Sequence, residues 1–180
     1  FMGLMLAISV TVRNKFGMQE YITLNRLHDL AKMVFAFSLL WAYMGYTQYL
    51  VIWYADMPEE TPYLVIRSME QPWALMFLLI IIGVFAIPFI GLLPKTLCRV
   101  PNYIRVMGIW VAVSQWFAIY LMVVPSLQHY GHYHVYLGMH ELLITLGFAG
   151  LFFLSYLTFL GKVPILPISD KHLCRSWHGH

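Results

Sequence analysis

Residues 71–94 read QPWALMFLLIIIGVFAIPFIGLLP, from Gln71 to Pro94, with no charged side chain among them. At 1.5 Å per residue, roughly 20 apolar residues in a helix cross the ~30 Å hydrocarbon core of a bilayer. Three further runs have the same character: 33–55 and 106–128, each 23 residues without a charge, and 142–161, with 20. The last helix is expected to start earlier, near Tyr136. Four soluble core helices of this kind would leave nothing in a chain of 180 residues to cover them. The pattern predicts an all-α integral membrane protein with four complete transmembrane helices.

Working outward, residues 1–12 form an uncharged stretch too short to span alone, and read as the end of a fifth helix whose start lies upstream. The expected organisation is the end of that helix at 1–12, a cytoplasmic loop at 13–29, a four-helix bundle at 30–161 and a cytoplasmic tail at 162–180. Composition agrees: 61% of residues are hydrophobic, 11% are charged and mean hydropathy is +0.70, against about 25% charged in a soluble domain. The net charge of +3 does not point to nucleic acid, because the basic residues are dispersed between apolar runs instead of forming one patch. Cys98 and Cys174 supply no Cys-x-x-Cys-His motif, which excludes covalent haem attachment to this chain.

Lysine and arginine orient the spans. Arg13, Lys15, Arg26 and Lys32 precede the first full run, Lys95, Arg99 and Arg105 separate the second from the third, and Lys162, Lys171 and Arg175 follow the fourth. The two opposite loops hold only Arg67. The positive-inside rule places the basic segments and the C-terminus in the cytoplasm. One outer loop is acidic, with Asp56, Glu59, Glu60 and Glu70; the other carries His129, His132 and His134. Pro58 and Pro62 are expected to stop the first full helix and Pro88 to kink the second. Gly83, Gly91, Gly147 and Gly150 permit close helix approach.

Ionisable groups in a bilayer are costly unless paired or wet, so those near the spans are the candidates for chemistry. His140 and Glu141 stand near the outer end of the fourth span, where Glu141 could relay protons or accept a hydrogen bond from a quinol; the plain alternative is a hydrated interfacial pair. Asn25, Asp29 and Lys32 share one helical face at the cytoplasmic start of the first full span, with His28 beside them. A simpler reading of Asp29 is a carboxylate favoured near a helix N-terminus. Within the spans lie Ser38, Tyr43, Tyr46, Thr47, Gln48, Ser114, Gln115 and Tyr120. Gln48 and Gln115 are the most expensive to leave unpaired, and serve either as interhelical links or as part of a proton path. His140 is the only histidine placed inside the bilayer, so a haem held wholly by this chain is not expected. The three loop histidines lack a carboxylate or thiol at ligand spacing, and no metal is expected. Nucleotide loops, nucleophile elbows and catalytic triads are absent from the sequence.

One segment carries a resemblance. Leu27-His28-Asp29-Leu30-Ala31-Lys32, then Phe37-Ser38-Leu39-Leu40-Trp41-Ala42-Tyr43, then Tyr46-Thr47-Gln48-Tyr49-Leu50-Val51-Ile52-Trp53-Tyr54-Ala55-Asp56-Met57-Pro58-Glu59-Glu60-Thr61 resemble the F subunit of alternative complex III, a bacterial quinol:cytochrome c oxidoreductase. Thr47 stands where that subunit usually has Ser, and Asp56 where it usually has Asn. The resemblance implies an NrfD-like (polysulfide reductase membrane subunit) fold, of which this chain would be the second four-helix bundle in the C-terminal half. It implies a bacterial inner-membrane location, with quinol as the substrate of the complex. The implied partners are lipids, a homologous NrfD-like membrane subunit, multihaem c-type cytochromes and an iron–sulfur subunit related to molybdopterin oxidoreductases. Haem c and iron–sulfur clusters are then expected in those partners and none in this chain, whose role would be scaffold with a possible proton-conducting path. Two other readings stay open: a quinol pocket at His140 and Glu141, and an ion or solute transporter, which should show broken helices and a polar midplane site.

Overall fold

The run at 71–94 becomes a helical rod, Trp73–Leu92, long and apolar enough to cross a membrane. The computed structural model describes residues 1–19, 21–127 and 138–162, and all regular elements among them are helical. In order these are α1 (Met2–Lys15), α2 (Leu24–Ala55), α3 (Thr61–Ser68), α4 (Trp73–Ile81), a π-helical turn (Ile82–Ala86), α5 (Ile87–Leu92), a 3₁₀ turn (Leu97–Arg99), α6 (Pro101–Leu127) and α7 (Met139–Leu160). The chain divides into two units, Phe1–Val135 and Tyr136–His180. The histidine loop, the expected helix start near Tyr136, and Lys171, Cys174 and Arg175 of the tail lie outside the described residues.

Three helices have the length and apolarity of membrane spans: Trp73–Leu92, Pro101–Ser126 and Met139–Leu160. The sequence predicts four. The fourth expected span lies in α2, which at 32 residues is about 48 Å long but less apolar. Tyr43, Tyr46, Thr47, Gln48 and Tyr49 follow one another through its second half and dilute its hydropathy. Helix α2 begins at Leu24, within the stretch read as loop, and ends where Pro58 and Pro62 forbid continuation. Its terminal Asp56 adopts a left-handed conformation (φ 45°, ψ 41°) with its amide bonded to the Ile52 carbonyl. The acidic stretch at 56–70 is not all irregular: Pro62 sits in the first turn of α3, a position proline favours.

Two apolar clusters organise the first unit. One gathers Leu6 and Val10 of α1, Leu27, Ala31 and Val34 of α2, and Ile104 and Met107 of α6 around Leu92 and Cys98. The other joins Trp73, Ile80 and Val84 to Ala118, Tyr120 and Leu121 of α6. Helix α1 lies along α6 through two glycines that permit backbone contact. A Cβ on Gly3 would stand 2.8 Å from the Gly108 carbonyl oxygen, and one on Gly108 2.6 Å from that of Gly3, so neither position has room for a side chain. Gly83 is also close-packed, its would-be Cβ 3.1 Å from Ser114 Oγ. In its own unit α7 has no buried residue.

Candidate functional site

Each proline inside a helix removes an amide hydrogen and frees a carbonyl oxygen one turn earlier. In hydrocarbon such an oxygen needs another donor. Pro88 is accommodated by the π-helical turn: the Ile87 amide bonds back to Ile82 O, and Gly83 O would next require an amide hydrogen from Pro88. Trp110 of α6 supplies one instead, its Nε1 donating to Gly83 O at 3.1 Å. The expected kink is thus a one-residue widening of the helix, held from across the bundle.

Pro125 does the same inside α6, where it leaves Leu121 O without its usual amide. Arg67 answers it. The side chain is only 5% exposed; Nε donates to Leu121 O at 3.0 Å, and Nη2 to Met122 O at 2.7 Å and Ser126 Oγ at 2.6 Å. Nη1 donates to Tyr63 O at 2.8 Å, and the guanidinium carbon lies 3.6 Å from the centre of the Tyr63 ring, a cation–π contact. Burial lowers the Arg67 pKa from the ordinary guanidinium value and Tyr63 opposes part of that shift, but an arginine remains protonated. In the sequence Arg67 counts only as the lone cation of the two loops expected to lie outside; the signal of its role was Pro125, at the far end of another helix.

The sequence-selected residues fall into separate places. Asp29 and Lys32 do meet, Lys32 Nζ donating to Asp29 Oδ1 at 3.0 Å, but both are exposed, where an ion pair contributes little. Because α2 starts at Leu24 and has no acidic residue in its first turn, the helix dipole does not account for Asp29. Nearby His28 Nδ1 is buried with no hydrogen-bond partner. Thr47 donates to its own helix at Met44 O, 2.9 Å away. Tyr43 is 65% exposed, Gln48 is exposed and Gln115 half-buried on α6. No hydrogen bond among the described residues joins Gln48 to Gln115.

At the start of α7, His140 is exposed and Glu141 half-buried. Glu141 is the third residue after the N-cap Gly138. Its carboxylate folds back over that glycine, Oε2 standing 2.8 Å from where a Cβ on Gly138 would be. This is the position from which an acidic side chain meets the free amides of a helix start, yet Oε2 is buried without a hydrogen-bond partner. In the loop after Leu92, the buried Cys98 thiol donates to Leu92 O at 3.2 Å, and burial raises its pKa. Among the described residues no three His, Cys, Asp or Glu side chains gather into a group able to hold a metal ion. No protein-family model matches the chain, and no curated protein matches it.

Proposed function

We propose that this chain is a membrane subunit of a bacterial respiratory quinol:cytochrome c oxidoreductase of the alternative complex III kind, embedded in the cytoplasmic membrane. In this reading α2, the rod Trp73–Leu92, α6 and α7 are the four crossings of an NrfD-like bundle, with the loop at 95–105 in the cytoplasm. The chain holds no redox group; quinol oxidation, haem c and iron–sulfur clusters belong to its partners, a homologous membrane subunit, multihaem c-type cytochromes and an iron–sulfur protein. Its own contribution is scaffold and a polar path for protons, for which Glu141, Gln48 and Gln115 are the available groups.

The observation that carries the reading is the segment at 46–61. Its residues form the last turns of α2, the left-handed cap and the first residue of α3, and Thr61 Oγ1 donates to Asp56 Oδ1 at 3.5 Å across that corner. Asp and Asn are the two non-glycine residues that most readily hold a left-handed conformation. That accounts for Asp56 standing where the resembled subunit usually has Asn. Deleting the chain tests the proposal: membranes should lose quinol-dependent cytochrome c reduction while their other dehydrogenases remain active. Unchanged quinol:cytochrome c activity would refute it.

The transporter reading has one observation in its favour, the interruption of the rod at Ile82–Ala86. Helix breaks in transporters expose backbone to a wet site; here the freed Gly83 oxygen is already bonded to Trp110, which favours a structural role for the break.

A further inference from the structure

Lysines and arginines gather at one end of the first unit. Helix α1 runs antiparallel to α6, with Gly3 and Ala7 both against Gly108, so its last turn, carrying Arg13 and Lys15, points toward the start of α6. Leu27 of α2, Leu92 and Cys98 share a cluster with Val10 and Ile104, which brings the start of α2 and the turn at 93–100 to the same end. The seven lysines and arginines of residues 13–32 and 95–105 therefore lie together, and those stretches hold only two carboxylates, Glu20 and Asp29. Asp29 is already paired with Lys32. Four more carboxylates, Asp56, Glu59, Glu60 and Glu70, follow the far end of α2, a helix of 32 residues and about 48 Å.

Three of the cations border the turn between the rod and α6. Among the described residues Lys95, Arg99 and Arg105 have neither a hydrogen bond nor an ion pair. Arg105 is half-buried and is the last charge before the uncharged run at 106–128. A guanidinium at the edge of hydrocarbon is unfavourable without a counter-charge. The chain has too few carboxylates to supply one for each cation. Wherever the second unit lies, it carries Lys162, Lys171 and Arg175 against Glu141 and Asp170, so it adds more positive charge than negative. Leu93, Leu97 and Val100 stand exposed between the three cations. A phospholipid brings phosphate and acyl chains together at the edge of the hydrocarbon, the depth that Arg105 marks.

We propose that the turn at 93–100 and the beginning of α6 bind an anionic glycerophospholipid, its phosphate held by Lys95, Arg99 and Arg105. The proposal needs only that the helices cross a membrane, and it stands whichever complex the chain serves. Spin-labelled phosphatidylglycerol and phosphatidylcholine, compared on the full chain in phosphatidylcholine bilayers, test it. The chain should prefer phosphatidylglycerol, and the triple variant Lys95→Gln, Arg99→Gln, Arg105→Gln should weaken that preference by about fivefold or more. The variant Lys162→Gln, Lys171→Gln, Arg175→Gln removes the same charge elsewhere and should keep the preference. No preference in the unaltered chain, or equal loss in both variants, would overturn the proposal, the second by reducing it to net charge. A photoreactive benzoylphenylalanine at Leu97 in native membranes tests the occupant without altering any cation, and so decides even if the triple variant does not fold. Adducts with anionic phospholipid are expected; adducts with an acidic protein in place of lipid would overturn the assignment.

Discussion

Arg67 stands in for the amide hydrogen that Pro125 lacks: its Nε donates at 3.0 Å to Leu121 O, the oxygen an amide at position 125 would otherwise bond. Helix α3 is thereby tied to the end of α6, and the proline is accommodated without an orphaned carbonyl. The same arrangement recurs between Trp110 and Pro88, with Gly83 O as acceptor. Two donors from neighbouring helices thus compensate two helix-interior prolines.

Arg67→Met should destabilise the detergent-solubilised chain by about 2–4 kcal/mol, the scale expected when buried carbonyls lose charged donors. In a Pro125→Ala background the residue at 125 can bond Leu121 O itself, so the cost of Arg67→Met should fall by about 1 kcal/mol or more. Thermal unfolding of the four proteins in this double-mutant cycle measures the difference. Equal costs in both backgrounds would mean that Arg67 does not act through the proline.

Trp110→Phe keeps most of the ring and removes one donor. It should cost about 1–2 kcal/mol, and less when Pro88 is also replaced by Ala, because an amide at 88 then becomes available. Hydrogen exchange at residues 82–87 should speed up in Trp110→Phe; unchanged exchange there would show that the π-helical turn does not depend on the tryptophan.

Asp56 holds a conformation disfavoured for most L-residues by about 1–2 kcal/mol. Asp56→Asn and Asp56→Gly should leave stability equal or slightly higher, whereas Asp56→Val should lower it by about 1–2 kcal/mol. The order of melting temperatures across the three variants checks this.

Much of this architecture was legible in the sequence, because long uncharged runs have few alternatives to membrane helices. The runs at 71–94, 106–128 and 142–161 became Trp73–Leu92, Pro101–Ser126 and Met139–Leu160. The run at 33–55 became part of a helix whose tyrosines, amphipathic by nature, make it less apolar than the other three. Counting charges located Arg67 but could not reveal that it turns inward, since that depends on a proline 58 positions away. The glycines chosen from the sequence missed Gly3 and Gly108, whose contact joins helices distant in the chain. Asp29 and Lys32 were legible as neighbours because a helix places i and i+3 side by side. No local rule brings Gln48 and Gln115 together, and among the described residues no hydrogen bond joins them.

Glu141 tests the proton path. Glu141 Oε2 is buried without a hydrogen-bond partner, and Glu141→Gln keeps the shape of the side chain while removing the carboxyl group that the proposed path requires. The assembled variant should turn over more slowly with quinol, or pump fewer protons per electron, with subunit composition unchanged. Wild-type turnover and coupling would make Glu141 an interfacial residue only.

The composition of the assembly around this chain, read by native mass spectrometry and haem absorbance after gentle solubilisation, tests the central claim most directly. The account expects a multi-subunit particle with a second membrane subunit, c-type haem and an iron–sulfur protein in fixed ratio to this chain. A chain that emerges alone or with copies of itself, free of haem and iron, would contradict it.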